Sequence, residues 1–151
     1  MRDMGVTYVR ARVTKPGGRN RPRAVRFLVD TGAVYTVLPQ PVWRGLRLRP
    51  EREAEFTLAD GTTIVRKVSE ARFTVSGTSA TSPVILGSRS DAPLLGAVTL
   101  ETLGLMVNPL SRELLPMRLV LAGAARRADV PMTTSLPTPL GRRRPGLVRS
   151  R

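Results

Sequence analysis

An apolar run that ends in a carboxylate and a glycine turn, Phe27-Leu28-Val29-Asp30-Thr31-Gly32-Ala33, constrains this chain more than any other stretch. Val25 to Val29 is apolar or β-branched apart from Arg26, the pattern of a buried strand. Asp30 stands where that strand ends. Gly32 can take backbone angles closed to other residues, so the chain is expected to reverse at once and hold the carboxylate at the edge of a cleft. A second apolar run, Val34 to Leu38, then carries it back. An aspartate before a glycine can also serve its own turn, by accepting a backbone hydrogen bond, and that use competes with a chemical one.

Composition narrows the chemistry. The chain has 151 residues, enough for one domain with a real core. It contains no cysteine and no histidine, which excludes disulfides, thiolate sites and nucleophile–histidine catalysis and argues against a zinc hydrolase. Acid–base chemistry therefore falls to carboxylates, and no metal or cofactor is expected. The first residues run into an alternating strand pattern with no apolar signal segment, so a cytoplasmic protein without a membrane span is expected.

The net charge of +14 is unevenly spread. Residues 1–26 carry +7, residues 27–123 only +1 and residues 124–151 +6. The basic termini are expected to give weak, salt-dependent contact with nucleic acid. The chain has few aromatic residues for base stacking and no recognition-helix motif.

In chain order, Val9 to Val13 alternates apolar and polar and should pair as a hairpin with the strand that delivers Asp30, across the turn-rich segment 15–22. Pro41 suits the first turn of a short helix ending near Leu46. Strands at Glu51 to Leu58 and Thr63 to Val68 flank Ala59-Asp60-Gly61-Thr62, a hairpin signal with a polar tip. Further strands are expected at Ala71 to Val75 and Pro83 to Leu86. Leu95, Val98 and Leu103 fit one face of a short helix stopped by Gly104. A last hairpin joins Leu105-Met106-Val107 to Leu114-Leu115. Beyond residue 121 the arginine- and proline-rich composition is that of a disordered tail.

Apolar strand, Asp-Thr-Gly-Ala, polar-tipped hairpin, then Leu94-Leu95-Gly96 opening a helix: this order resembles the retropepsin-like aspartic proteases, and most of all their small bacterial members. The resemblance covers about residues 5–120. It implies an all-β, mainly antiparallel, closed barrel-like lobe with one short helix, spanning residues 1–121 ahead of a tail over 122–151. Asp30 matches the catalytic aspartate, Thr31 the residue whose hydroxyl braces the two active-site loops, and Gly32 the loop glycine. Ala33 matches the small residue that follows, facing substrate. Asp60 and Gly61 match the tip of the flap that closes over substrate, and Leu94-Leu95-Gly96 matches the scaffold beneath the catalytic loop.

The activity implied is that of an aspartic endopeptidase, in which two aspartates share one proton. Like charges about 3 Å apart at an effective dielectric of about 20 repel by about 5 kcal/mol, which is why such dyads titrate in two well-separated steps. The sequence has a single Asp-Thr-Gly, so the partner carboxylate implied is Asp30 of a second copy in a two-fold homodimer. Activity is then expected to peak below neutral pH, with a peptide or protein as substrate. Tyr35 or Trp43 could add specificity, Trp43 equally being a core residue. A non-catalytic dimerising or peptide-binding module that keeps the motif is the second reading.

Overall fold

The computed structural model describes residues 5–118. The expected tail, from residue 122, lies outside the described residues. Nine strands and two short helices follow one another as β1 (Thr7–Thr14), β2 (Arg23–Val29), β3 (Thr36–Leu38), α1 (Gln40–Gly45), β4 (Arg52–Thr57), β5 (Thr63–Val75), β6 (Thr78–Leu86), β7 (Leu94–Leu95), α2 (Ala97–Thr102), β8 (Leu105–Val107) and β9 (Leu114–Pro116).

Seven of these strands form one sheet in the order β1-β2-β7-β3-β6-β5-β4, and a further pairing of β1 with β5 turns six of them into a ring, with β4 outside it. The hairpins β1–β2, β4–β5 and β5–β6 are antiparallel. The pairs β2–β7 and β3–β6 are parallel. These two parallel contacts hold the elements around Asp30, because β2 ends and β3 begins on either side of the turn.

Alternation along the strands explains which side is buried. In β1 and β2, Ala11, Val13, Val25 and Phe27 face inward while their neighbours Arg10, Arg12 and Arg26 stay exposed. Phe27 meets Phe73 of β5 edge to face, with ring centroids 6.0 Å apart. Leu38, Val84 and Leu95 complete the centre, all fully buried. Each such side chain contributes about 1.5–3 kcal/mol on leaving water. Trp43 of α1 packs against this core, and its indole N–H donates to the Gly87 carbonyl at 2.8 Å, so it is a structural residue.

Three elements differ from their sequence pattern. Thr63–Val75 is one strand, where Ser69 and Glu70 suggested a break. Ser69 is buried and Glu70 exposed within an unbroken ladder to β6. The strand β6 starts at Thr78, five residues before the expected Pro83, because its Ser/Thr-rich start pairs with β5 and Thr74 hydrogen-bonds Ser79 side chain to side chain at 2.7 Å. Leu94 and Leu95 are strand, and α2 begins only after Gly96, so Leu95 belongs to the sheet and not to the helical face that its spacing with Val98 and Leu103 suggested. Gly104 closes α2 with φ +67, as its place in the sequence suggested. Among the described residues no helix is long and apolar enough to cross a membrane.

Candidate active site

Asp30 leaves β2 as an exposed residue at the start of a two-sided turn. Its backbone N–H donates to Leu95 O at 3.0 Å, extending the parallel β2–β7 contact by one residue. Its Oδ1 accepts the Gly32 N–H at 2.9 Å, and its carbonyl accepts the Ala33 N–H at 3.2 Å. The turn-serving role of aspartate is thus present, and it fixes the carboxylate rather than consuming it. Among the described residues no other hydrogen bond to this carboxylate is formed.

Gly32 serves the turn in a way other than the one its sequence position suggests. Its φ is not in the left-handed region, unlike those of Gly61, Gly77 and Gly104. A Cβ there would instead stand 3.2 Å from Asp30 Oδ1, crowding the turn bond that orients the acid.

Gly96 is the tighter constraint. A Cβ on it would lie 2.6 Å from the Tyr35 carbonyl carbon and 2.8 Å from the Val34 and Tyr35 oxygens. This close approach lets α2 dock its open end on the Asp30 turn: the Ala97 N–H donates to Ala33 O at 2.8 Å and the Val98 N–H to Val34 O at 3.1 Å. The helix has no side-chain cap, so the turn's carbonyls satisfy N–H groups that would otherwise lack partners.

Below the turn lies a buried chain of hydroxyls. Thr36 Oγ1 accepts the Gly96 N–H at 3.0 Å and pairs with Thr99 Oγ1 at 2.6 Å, and Thr99 pairs in turn with Ser82 Oγ at 2.8 Å. All three side chains are buried, and Thr99 joins β3, α2 and β6. Thr99→Val keeps the shape and removes both bonds to Thr99, leaving Thr36 with the Gly96 N–H and Ser82 with a long 3.4 Å bond to the Pro83 carbonyl. We expect it to lower stability by about 1–3 kcal/mol, measured by urea unfolding, since two buried hydrogen bonds worth about 0.5–1.5 kcal/mol each are lost with nothing to replace them.

Beside the Asp30 turn runs a groove of about 330 Å³. Gly32, Ala33, Val34 and Tyr35 form one wall, and Phe56, Leu58 and Ile64 from the β4–β5 hairpin form the other. Tyr35 and Phe56 meet edge to face at 5.7 Å across it, and the Tyr35 hydroxyl accepts from Arg52 at 3.1 Å. Val37, Ile85 and Leu94 make an apolar floor, with Arg66 and Asp91 supplying charge.

The hairpin tip is a tight turn. Gly61 takes φ +84, its N–H donates to Leu58 O at 2.9 Å, and the Thr62 N–H donates to Asp60 Oδ1 at 2.8 Å. That backbone bond, helped by the Thr62 hydroxyl, holds the Asp60 carboxyl below its ordinary value of 3.8. A lowered folded value means the turn bond is at full strength above the ordinary carboxylate range and is lost only as pH falls through the lowered value.

Of the residues singled out from sequence, Asp30, Thr31, Gly32 and Ala33 share one turn, and Gly32 and Ala33 line the groove. Asp60 and Gly61 shape the hairpin but do not line the groove; the stem residues Phe56, Leu58 and Ile64 do. Those three were hidden in the sequence because they read as ordinary strand residues. The hydroxyl chain was equally hidden, its members being 63 and 17 residues apart in sequence.

A six-strand ring that delivers an aspartate on a glycine turn, braced from below by a Leu-Leu-Gly strand and a short helix, defines a retropepsin-like aspartic protease lobe. The family model described as gag-polyprotein putative aspartyl protease matches residues 19–102, more than half of the chain, and the chain belongs to that family. Among solved structures, the EIAV protease complexed with the inhibitor HBY-793 superposes with a TM-score of 0.52 at 15% identity, over 80% of this chain and 98% of that one. The solution structure of simian foamy virus (mac) protease matches with a TM-score of 0.46 at 19% identity, over 63% and 92% of the two chains. No curated protein matches the sequence.

Proposed function

We propose that the chain is an aspartic endopeptidase that works as a two-fold homodimer, hydrolysing peptide bonds with a water held between Asp30 and the same residue of a second copy. The observation that carries this reading is the pairing of an exposed, turn-fixed carboxylate with an apolar groove that starts at its own turn. The other aspartates near the groove are committed to local turns: Asp60 to the Thr62 N–H, and Asp91, through Oδ2, to the Ser88 N–H at 2.6 Å. Neither is on the Asp30 turn, which supports a second carboxylate supplied by the partner copy.

In the reaction, one carboxylate removes a proton from the water while the resulting hydroxide attacks the scissile carbonyl carbon. The partner carboxylic acid gives its proton to the carbonyl oxygen, producing a neutral gem-diol. A carboxylic acid then protonates the amide nitrogen, the C–N bond breaks, and the second diol proton returns to a carboxylate. Atoms and charge balance over the cycle, and one shared proton suffices. Thr31 is the positioning residue that braces the two turns. Ala33 leaves room for the substrate backbone, and the Asp60–Gly61 tip lets the β4–β5 hairpin lie over it.

The test is dilution. Against a peptide library, the cleavage rate per protomer should be constant at high concentration and fall about tenfold per tenfold dilution below the dimer dissociation constant, by mass action. A rate per protomer independent of concentration in a sample shown to be monomeric would overturn the two-copy site. No cleavage by a demonstrably dimeric sample between pH 3 and 8 would leave a binding module.

A further inference from the structure

We propose that the outer face of the β1–β2 hairpin binds single-stranded nucleic acid, independently of the peptidase site. Between Gly5 and Val29 the sequence has seven basic residues and no acidic one, and this segment is built into the ring rather than forming a loose end. In the antiparallel register Arg10 lies directly opposite Arg26, with Arg12 two positions along β1. Thr14 pairs with Arg72 of β5, which brings a fourth guanidinium to the same exposed face.

Like charges placed directly across a sheet destabilise it, so this arrangement asks for an anion. Among the described residues, no carboxylate is joined to Arg10, Arg12, Arg26 or Arg72. Glu70, two residues before Arg72, is the acid that shares this face on β5. Side chains two apart on a strand repeat about every 6.6–6.8 Å, so the arginines form a row suited to a chain of phosphates rather than a single one.

The aromatic residue on this face decides between a nucleic acid and an acidic peptide. Tyr8 is 44% exposed, and the Arg26 guanidinium lies over its ring, 3.9 Å from the centroid. A stacked guanidinium and phenol present flat surface to an unpaired base, which acidic peptides do not exploit and duplexes keep inside their own stack.

The experiment is fluorescence anisotropy of the full chain with a labelled single-stranded oligonucleotide of about 16 nucleotides at several salt concentrations. Each phosphate contact contributes about 0.7 to the log–log salt slope, so removing two should lower it by about 1.4. The double variant Arg10→Gln/Arg26→Gln is expected to show that loss and at least about tenfold weaker binding at low salt. Arg10→Lys/Arg26→Lys should keep the wild-type slope. Tyr8→Leu should weaken binding with the slope unchanged. Circular dichroism melts establish that the variants are folded. Wild-type affinity and slope in the glutamine variant, with binding lost instead in Arg142→Gln/Arg143→Gln/Arg144→Gln, would overturn the proposal. So would competition by poly-glutamate as effective per charge as that by the oligonucleotide.

Discussion

Asp30→Asn is expected to reduce peptide cleavage by about 10²–10⁴-fold or to background, with the fold and the dimer intact. Asparagine cannot take a proton from water or return one to the leaving amine, so the loss falls on the chemical step. It keeps an Oδ1 that can still accept the Gly32 N–H, now at 2.9 Å, so the turn should survive and the stability should change by no more than about 0.5 kcal/mol. The pairing of lost activity with retained stability separates a chemical role from a turn-forming one. A purely structural aspartate would leave activity in place.

The same variant reports on symmetry. If two copies build one site, an inactive protomer captures an active one. With nine parts of Asp30→Asn to one part wild type, random exchange should leave about one-tenth of wild-type protomers in fully active dimers, so the rate per wild-type protomer falls about tenfold. A mixture whose activity equals that of its wild-type fraction would mean that each chain works alone, and the two-copy mechanism would fail.

What could be read from the residues was set by the range of the interaction. The β1–β2 hairpin, the Asp60-Gly61 turn and the Gly104 stop depend on neighbours in sequence, and strand alternation or a turn glycine announced them. The position of Asp30 at a strand end was legible for the same reason. The parallel contacts β2–β7 and β3–β6 join segments more than 40 residues apart, and nothing local distinguishes Leu94-Leu95 as a strand from the first turn of the helix that follows. Thr36, Ser82 and Thr99 look like solvent-facing residues until the fold brings them together. The groove wall of Phe56, Leu58 and Ile64 likewise belongs to two strands whose alternation says only that one side is apolar. The basic N-terminal segment looked like a charged end, and became a sheet face once its register with β2 and β5 was fixed.

Gly96→Ala is the sharper test of how the scaffold serves the acid. The added methyl would meet backbone atoms of Val34 and Tyr35 at 2.6 to 2.8 Å, and backbone cannot rotate away as a side-chain tip can. Relief must come from sliding α2 off the turn, which lengthens the Ala97–Ala33 and Val98–Val34 bonds, or from pushing the turn outward with Asp30 on it. Overpacking of this kind costs about 1–3 kcal/mol, and a misplacement of about 1 Å at a reacting group costs about 100-fold in rate. The control is Gly77→Ala in the β5–β6 turn, where φ is +82 and nothing lies within 4 Å of the new methyl. There the backbone strain costs about 1 kcal/mol without touching the groove. We expect Gly77→Ala to lower the unfolding midpoint and leave cleavage per folded dimer at the wild-type level, and Gly96→Ala to lower both. Equal activity in the two variants at matched stability would show that the Leu94-Leu95-Gly96 segment merely holds the lobe together and does not aim Asp30.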